Sequence, residues 1–222
     1  LMHSQRIGKA APNAIYGKPA AFSQLDESQK TINANLNILL NGGDYKGRSI
    51  AKPSSDVEPI LKSTKVAWAN SNKAASTIVK TKKELAGFRE DLESMNLLSP
   101  TLESLTSDIS TKEVQGGASP QAIFASGQLV MLTQRLARSA SEFMTPEGIN
   151  PEKAFLLGKD ANTFYELVEG FLNGSEINKL AAVKDPSIRA LLVELQKTFA
   201  DYRKNVDSIL AKNNEFIEAK KS

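Results

Sequence analysis

The chain contains no cysteine and one histidine, His3. The first absence excludes disulfides and thiol chemistry but does not decide the compartment, because cysteine-free domains occur in cytosol and periplasm alike. The second takes essential parts away from nucleophilic triads, histidine zinc sites and imidazole acid–base catalysis. Long apolar runs are missing too. No stretch approaches the roughly 18 residues needed to cross a bilayer, and none reads as a secretory leader. Nor does one sign of charge dominate. Lys and Arg number 28 against 25 Asp and Glu, and the net charge of +3 is scattered, so no nucleic-acid partner is expected. Against these absences stand 41% hydrophobic and 24% charged residues in a chain of 222. That is globular composition, enough for one large domain or two of about 110 residues.

The hydrophobic pattern is helical almost throughout. One stripe runs Phe22, Leu25, Gln29, Ile32, Leu36, Leu39, and a second from Val57, Leu61, Thr64 and Trp68 through Ile78 and Leu85 to Leu92. Leu129, Leu132, Leu136, Ala140 and Phe143 form a third, and Leu157, Ala161, Phe164, Val168 and Phe171 a fourth. The most regular is Ile188, Leu192, Leu195, Phe199, Tyr202, Val206, Ile209, Asn213, Phe216. Steps of three and four along one seam suit helical bundles. No comparable stretch alternates with period two, so no sheet is expected. Ser99-Pro100, Ser119-Pro120, Asn150-Pro151 and Asp185-Pro186 each set a capping side chain before a proline at the first helical position. Ser55 with Glu58 reads as a capping box, and Asn41-Gly42 and Asn173-Gly174 as helix ends. Helices are predicted at 1–12, 21–41, 55–98, 100–114, 119–144, 151–173, 175–184 and 186–219, with 55–98 either running past its own bundle or kinking near Gly87. Neither terminal helix has a cap or stop, so both are expected to continue outward.

A segment recurs. Leu1-Met2-His3-Ser4-Gln5-Arg6-Ile7-Gly8-Lys9 returns as Val130-Met131-Leu132-Thr133-Gln134-Arg135-Leu136-Ala137-Arg138, and Leu39-Leu40-Asn41-Gly42-Gly43 as Phe171-Leu172-Asn173-Gly174-Ser175. Leu61, Trp68, Ile78 and Val79 likewise match Leu192, Phe199, Ile209 and Leu210. Blocks in one order at nearly constant spacing imply internal duplication. The expected architecture is all-α: two tandem, stacked helical bundles, modules 1–115 and 119–222, hinged at Gly116-Gly117-Ala118.

No catalytic constellation emerges, so an enzyme is the least favoured class, and neither metal nor cofactor is expected. Gly42-Gly43-Asp44-Tyr45-Lys46-Gly47-Arg48-Ser49 lacks the spacing and preceding strand of a phosphate loop. Glu90, Asp91 and Glu93 lie among lysines as solvated charge. His3 matches Leu132 and is expected to face the core, as are Trp68 and Phe199. Gln29 and Asn213, polar on apolar seams, are expected to set helix register. The repeated polar residues differ, since packing alone needs only apolar ones. At about 100° per residue Arg135 sits about 60° from Leu132, at the border of the buried stripe, and Gln134 lies nearly opposite it. Such an arginine can pair with a carboxylate on a neighbouring helix or bind an anion, while Gln134 meets another surface. Gln5, Arg6, Lys9, Gln134, Arg135 and Arg138 are the candidate ligand or interface residues.

Ser4-Gln5-Arg6-Ile7-Gly8-Lys9 and Met131-Leu132-Thr133-Gln134-Arg135-Leu136-Ala137-Arg138 resemble the signature of the PilJ-type sensor domain. That domain is the extracytoplasmic part of type IV pilus methyl-accepting chemotaxis transducers, with related segments in nitrate/nitrite sensor kinases. The tandem copies resemble the transducers more than the single-copy kinases. Residues 155–174 and 188–216 also read like the second unit of that domain; His3 stands where the pattern has an aliphatic. The resemblance implies the periplasmic sensor region of a dimeric inner-membrane receptor, anchored by flanking helices and controlling pilus function and twitching motility. Its implied partners are pilin or another pilus component, or a small-molecule ligand. The alternative is a small-anion sensing domain, with paired arginines holding an oxyanion.

Overall fold

The computed structural model describes residues 2–143 and 151–221, with backbone alone from residue 213 onward. It is all-α apart from one hairpin. The helices are α1 (Met2–Ile15), α2 (Pro19–Asn41), α3 (Glu58–Lys80), α4 (Lys82–Gln115), α5 (Pro120–Phe143), α6 (Pro151–Asn173) and α7 (Pro186–Lys221). The chain divides into two compact units, Leu1–Arg89 with Asn214–Ser222, and Glu90–Asn213.

The hairpin corrects the expectation of no sheet. Strands β1 (Gly43–Tyr45) and β2 (Arg48–Ile50) pair antiparallel, with Tyr45 opposite Arg48. Strands of three residues are too short to display alternation. The readable signal was the turn: Lys46 and Gly47 have φ of 53° and 79°, the two left-handed residues a tight hairpin requires. The Asp44 carboxylate accepts the Gly47 N–H at 3.1 Å.

In the first unit α1, α2 and α3 contact one another pairwise. Its buried residues include Ala10, Ala14, Phe22, Leu25, Ala75 and Ile78, with Leu85 and Phe88 from the start of α4. Burial follows the expected α2 stripe only through Gln29. Beyond it Ile32 and Leu36 are half-buried and Leu39 is exposed, as are Val57 and Thr64 in the second stripe. Trp68 is half-buried, not core. Its indole N–H donates to Asn33 Oδ1 at 2.7 Å, and Asn33 donates in turn to Asn72 Oδ1 at 3.0 Å. The buried Gln29 amide donates to the Asn72 carbonyl, to Asn72 Oδ1 and to the Ser76 hydroxyl. Gln29 thus pins α2 against α3, as a polar seam residue should; Asn213 lies outside the described side chains.

The second unit is a ring of four helices closed by side-chain contacts. α4 meets α5 through Thr106 and Thr133, and α5 meets α6 through Arg135 and Asp160. α6 meets α7 through Phe164 and Phe199, and α7 returns to α4, where Ser208 and Lys212 both bond Asp91. The core consists of the three later stripes. From Leu129 to Phe143, Leu157 to Phe171 and Ile188 to Ile209, every seam residue named above is buried.

Three helix boundaries differ from expectation. The span 55–98 is two helices meeting at Thr81, not a single helix that runs on or kinks near Gly87. The Thr81 hydroxyl bonds the Thr77 and Ile78 carbonyls, the local competition that bends helices. No break occurs at Ser99-Pro100, because Pro100 lies inside α4. A proline there costs about 3 kcal/mol. The buried stripe Leu92, Met95, Leu102, Leu105, Ile109 runs on past it and offsets that cost, with Pro100 on the exposed side. Residues 175–184 form no helix. Ser175 and Leu180 pair in a β-bridge, and the Val183 N–H caps the Phe171 carbonyl at 2.8 Å. The capping box also fails, since Ser55 bonds Asp56 and Glu58 pairs with Lys62. Ser119 and Asp185 do cap α5 and α7, accepting from Ala122 at 3.2 Å and from Ser187 and Ile188 at 2.8 and 3.1 Å. Asn150 lies outside the described residues.

Candidate functional site

The two motif copies lie on α1 and α5, one in each unit, and each places its arginine the same way. Arg6 Nη2 pairs with Glu27 Oε2 on α2 at 3.0 Å, and Arg135 Nη2 with Asp160 Oδ1 on α6 at 2.8 Å. In both copies the arginine ties the motif helix to the helix that follows. The environments differ. The Glu27 side chain is 63% exposed, whereas that of Asp160 is 6% exposed. Burial pushes the Asp160 carboxyl up, and the Arg135 guanidinium, with help from Lys159, pulls it back only in part.

The other candidate residues point away. Gln5 and Lys9 are exposed one turn apart on α1, as are Gln134 and Arg138 on α5. With Met2 and Met131, also exposed, they step by three and four along the outer face of each helix. On α5 this row continues through Phe124, Gly127 and Ser141, all exposed. Each copy therefore has an inward pair and an outward stripe, and within each unit the structure does not gather all three residues at one point. The motif hydroxyl differs between copies. Thr133 is buried, donates to the Leu129 carbonyl and lies 3.4 Å from Thr106 Oγ1, while Ser4 is exposed. His3 is half-buried, with Nδ1 3.4 Å from the buried Ser28 hydroxyl.

Comparison with known proteins follows the same residues. The model of the PilJ family, described as the type IV pili methyl-accepting chemotaxis transducer N-terminal region, matches residues 1–90 and 114–221. The chain belongs to this family. A putative methyl-accepting chemotaxis protein, AlkN, of Alcanivorax borkumensis is 23% identical over 218 residues, covering 98% of this chain and 31% of its own length. Protein PilJ of Pseudomonas aeruginosa is 21% identical over 219 residues, covering 99% and 32%. The chain thus spans about a third of the curated relatives it matches. Among the described residues no helix is long and apolar enough to cross a membrane.

The two carboxylates that pair with the motif arginines differ in how the sequence marks them. Asp160 stands three residues after Leu157 and one before Ala161, on the apolar stripe of α6. A carboxylate there needs a cationic partner, which was the available signal. Glu27 carries no such mark, because it is exposed.

Replacing Arg135 with alanine would leave the Asp160 carboxylate buried and unpaired, at an expected cost of about 2 kcal/mol. The cost depends on pH. The folded pKa of Asp160 lies above its unfolded value, so below the unfolded value the carboxyl is neutral and little is lost. As pH rises through the folded value the charge forms and the penalty grows to its full size. Urea unfolding of both proteins at acid and neutral pH checks this; a difference independent of pH would contradict it.

Proposed function

We propose that this chain is the periplasmic sensor region of a transmembrane chemoreceptor that controls type IV pili and twitching motility. The family match over both parts of the chain supports the receptor class. The observation that carries the mechanism is the inward pair of each motif, which locks the helix bearing the outward stripe to its neighbour. A stimulus acting on that stripe shifts α5 against α6, and packed helices move by about 1–2 Å between discrete arrangements. Asp160 sets a cost on any α5–α6 displacement, since its carboxylate is tolerated only where Arg135 reaches it.

The proposed stimulus is pilin, another pilus component or a small ligand, and the receptor is a homodimer. The outer row of α5, with Phe124 and Met131 exposed beside Gln134 and Arg138, suits a partner subunit. The domain proposal remains one duplicated module in each half, 1–115 and 119–222, since each copy of the motif makes the same kind of inter-helix pair. The oxyanion-sensor alternative is weaker, because Arg6 and Arg135 are both already engaged by carboxylates.

The test is a full-length receptor carrying Arg135→Ala, Asp160→Ala or both. Each single variant is expected to change pilus-dependent twitching while the protein accumulates normally, and the double variant to recover part of the response. Unaltered twitching from a normally abundant Arg135→Ala receptor would overturn the mechanism.

A further inference from the structure

A cleft of about 560 Å³ opens in the second unit where α4 ends, α5 begins and the α6–α7 connection enters α7. No residue of either motif copy lines it. Glu113 and Asp185 line it together with Lys112, Ser119, Lys184 and Ile188. Glu113 occupies the buried seam of α4, one turn beyond Ile109, and is only 5% exposed. Among the described residues its carboxylate makes no hydrogen bond and no ion pair. A carboxylate so largely enclosed is normally partnered, and that of Glu113 opens only onto the cleft.

Its surroundings worsen the position. Asp185 is held ionised by its capping bonds from Ser187 and Ile188, with Lys112 assisting, and its negative charge adds to burial in pushing the Glu113 carboxyl up. All the capping bonds fall on Asp185 Oδ1, which leaves Oδ2 for another donor. Two carboxylates and the Ser119 hydroxyl therefore line one cleft as acceptors, beside an apolar wall of Ala122, Ala181, Val183 and Ile188. Packing does not require this arrangement, because a leucine at 113 would continue the seam.

We infer that this cleft binds a small organic ammonium ion, its charged head between Glu113 and Asp185 and its apolar body against Ile188 and Val183. An ammonium brings three N–H donors to these acceptors. A hard divalent cation fits less well, since it takes six or more oxygen ligands and no cluster of three acidic or histidine ligands exists among the described residues. The exposed lysines Lys112 and Lys184 at the rim select against polycations, which places the ligand among monoamines with short hydrocarbon bodies. The inference concerns binding alone and goes beyond the sensor reading, so failure of either leaves the other standing.

The test is calorimetry of the whole chain with n-butylammonium chloride at constant ionic strength, with 1-butanol as the uncharged comparison. Saturable binding of the ammonium and none of the alcohol is expected. Glu113→Gln removes the charge while keeping the shape; it is expected to stay folded and to weaken binding at least about tenfold. Asp185→Asn preserves a good helix cap and is expected to weaken binding as well, which keeps the test decisive if the first variant misfolds. Absence of binding to the unaltered chain, equal affinity in a folded Glu113→Gln or Asp185→Asn variant, or equal binding of the alcohol would overturn the proposal.

Discussion

Replacing Phe199 with alanine is expected to lower the stability of the second unit by about 3–5 kcal/mol. The ring is 1% exposed. Its centroid lies 4.2 Å from that of Phe164 on α6 and 6.0 Å from that of Tyr202 one turn further along α7. Truncation removes the aromatic contact that joins the two helices and leaves a cavity among side chains that are themselves fully packed. Leu157, Leu192 and Leu195 are each 0% exposed, so little can move in to fill it. Urea unfolding followed by far-UV circular dichroism measures the loss. A change below about 1 kcal/mol, the level of a typical surface or half-buried site, would show that the α7 seam does not carry this unit.

The second large effect is expected at Gly17, and its size is best read against Gly117. Both glycines end a helix in the same way, with φ of 71° and 67°. The Gly17 N–H bonds the Ala14 carbonyl and the Lys18 N–H that of Asn13; the Gly117 N–H bonds Val114 and the Ala118 N–H Glu113. These are paired Schellman caps, and a left-handed alanine costs about 1–2 kcal/mol in either. Their surroundings differ. A Cβ at Gly17 would stand 2.3 Å from the Leu85 carbonyl oxygen, whereas one at Gly117 meets nothing within 4 Å. Backbone cannot swing aside as a side chain does, so Gly17→Ala is expected to cost about 3 kcal/mol or more, beyond the conformational term alone. Gly117→Ala should cost the conformational term only. Thermal unfolding of the two variants beside the parent chain tests the contrast, and equal shifts would show that α1 does not approach α4 as closely as the carbonyl distance indicates.

How far the candidate site could be read from sequence depended on which side of each helix a residue occupies. Arg135 was placed at the edge of the α5 stripe by angle alone, and it does lie there, half-exposed and reaching inward. Gln134, placed opposite, is exposed. The angle could not name the acid that Arg135 meets, because that requires knowing which face of α6 lies alongside. Glu113 was likewise invisible as a site residue. Its position on the α4 seam is periodic and readable, but the cleft exists only because residues 175–184 do not form a helix and the connection instead brings Asp185 towards it.

Composition and period alone decided that this chain is helical and which residues of α5, α6 and α7 turn inward. A seam of large apolar side chains at steps of three and four can be buried in only one way along a helix. Tertiary packing decided the rest. It carried α4 through Pro100, since the gain from burying Leu102, Leu105 and Ile109 outweighs the lost backbone bond. It left Trp68 half in solvent and hydrogen-bonded to Asn33, because the far halves of α2 and α3 bury little of their stripes within the first unit. It also chose the partner of each motif arginine, a choice made by the distance between helices, which no local pattern encodes.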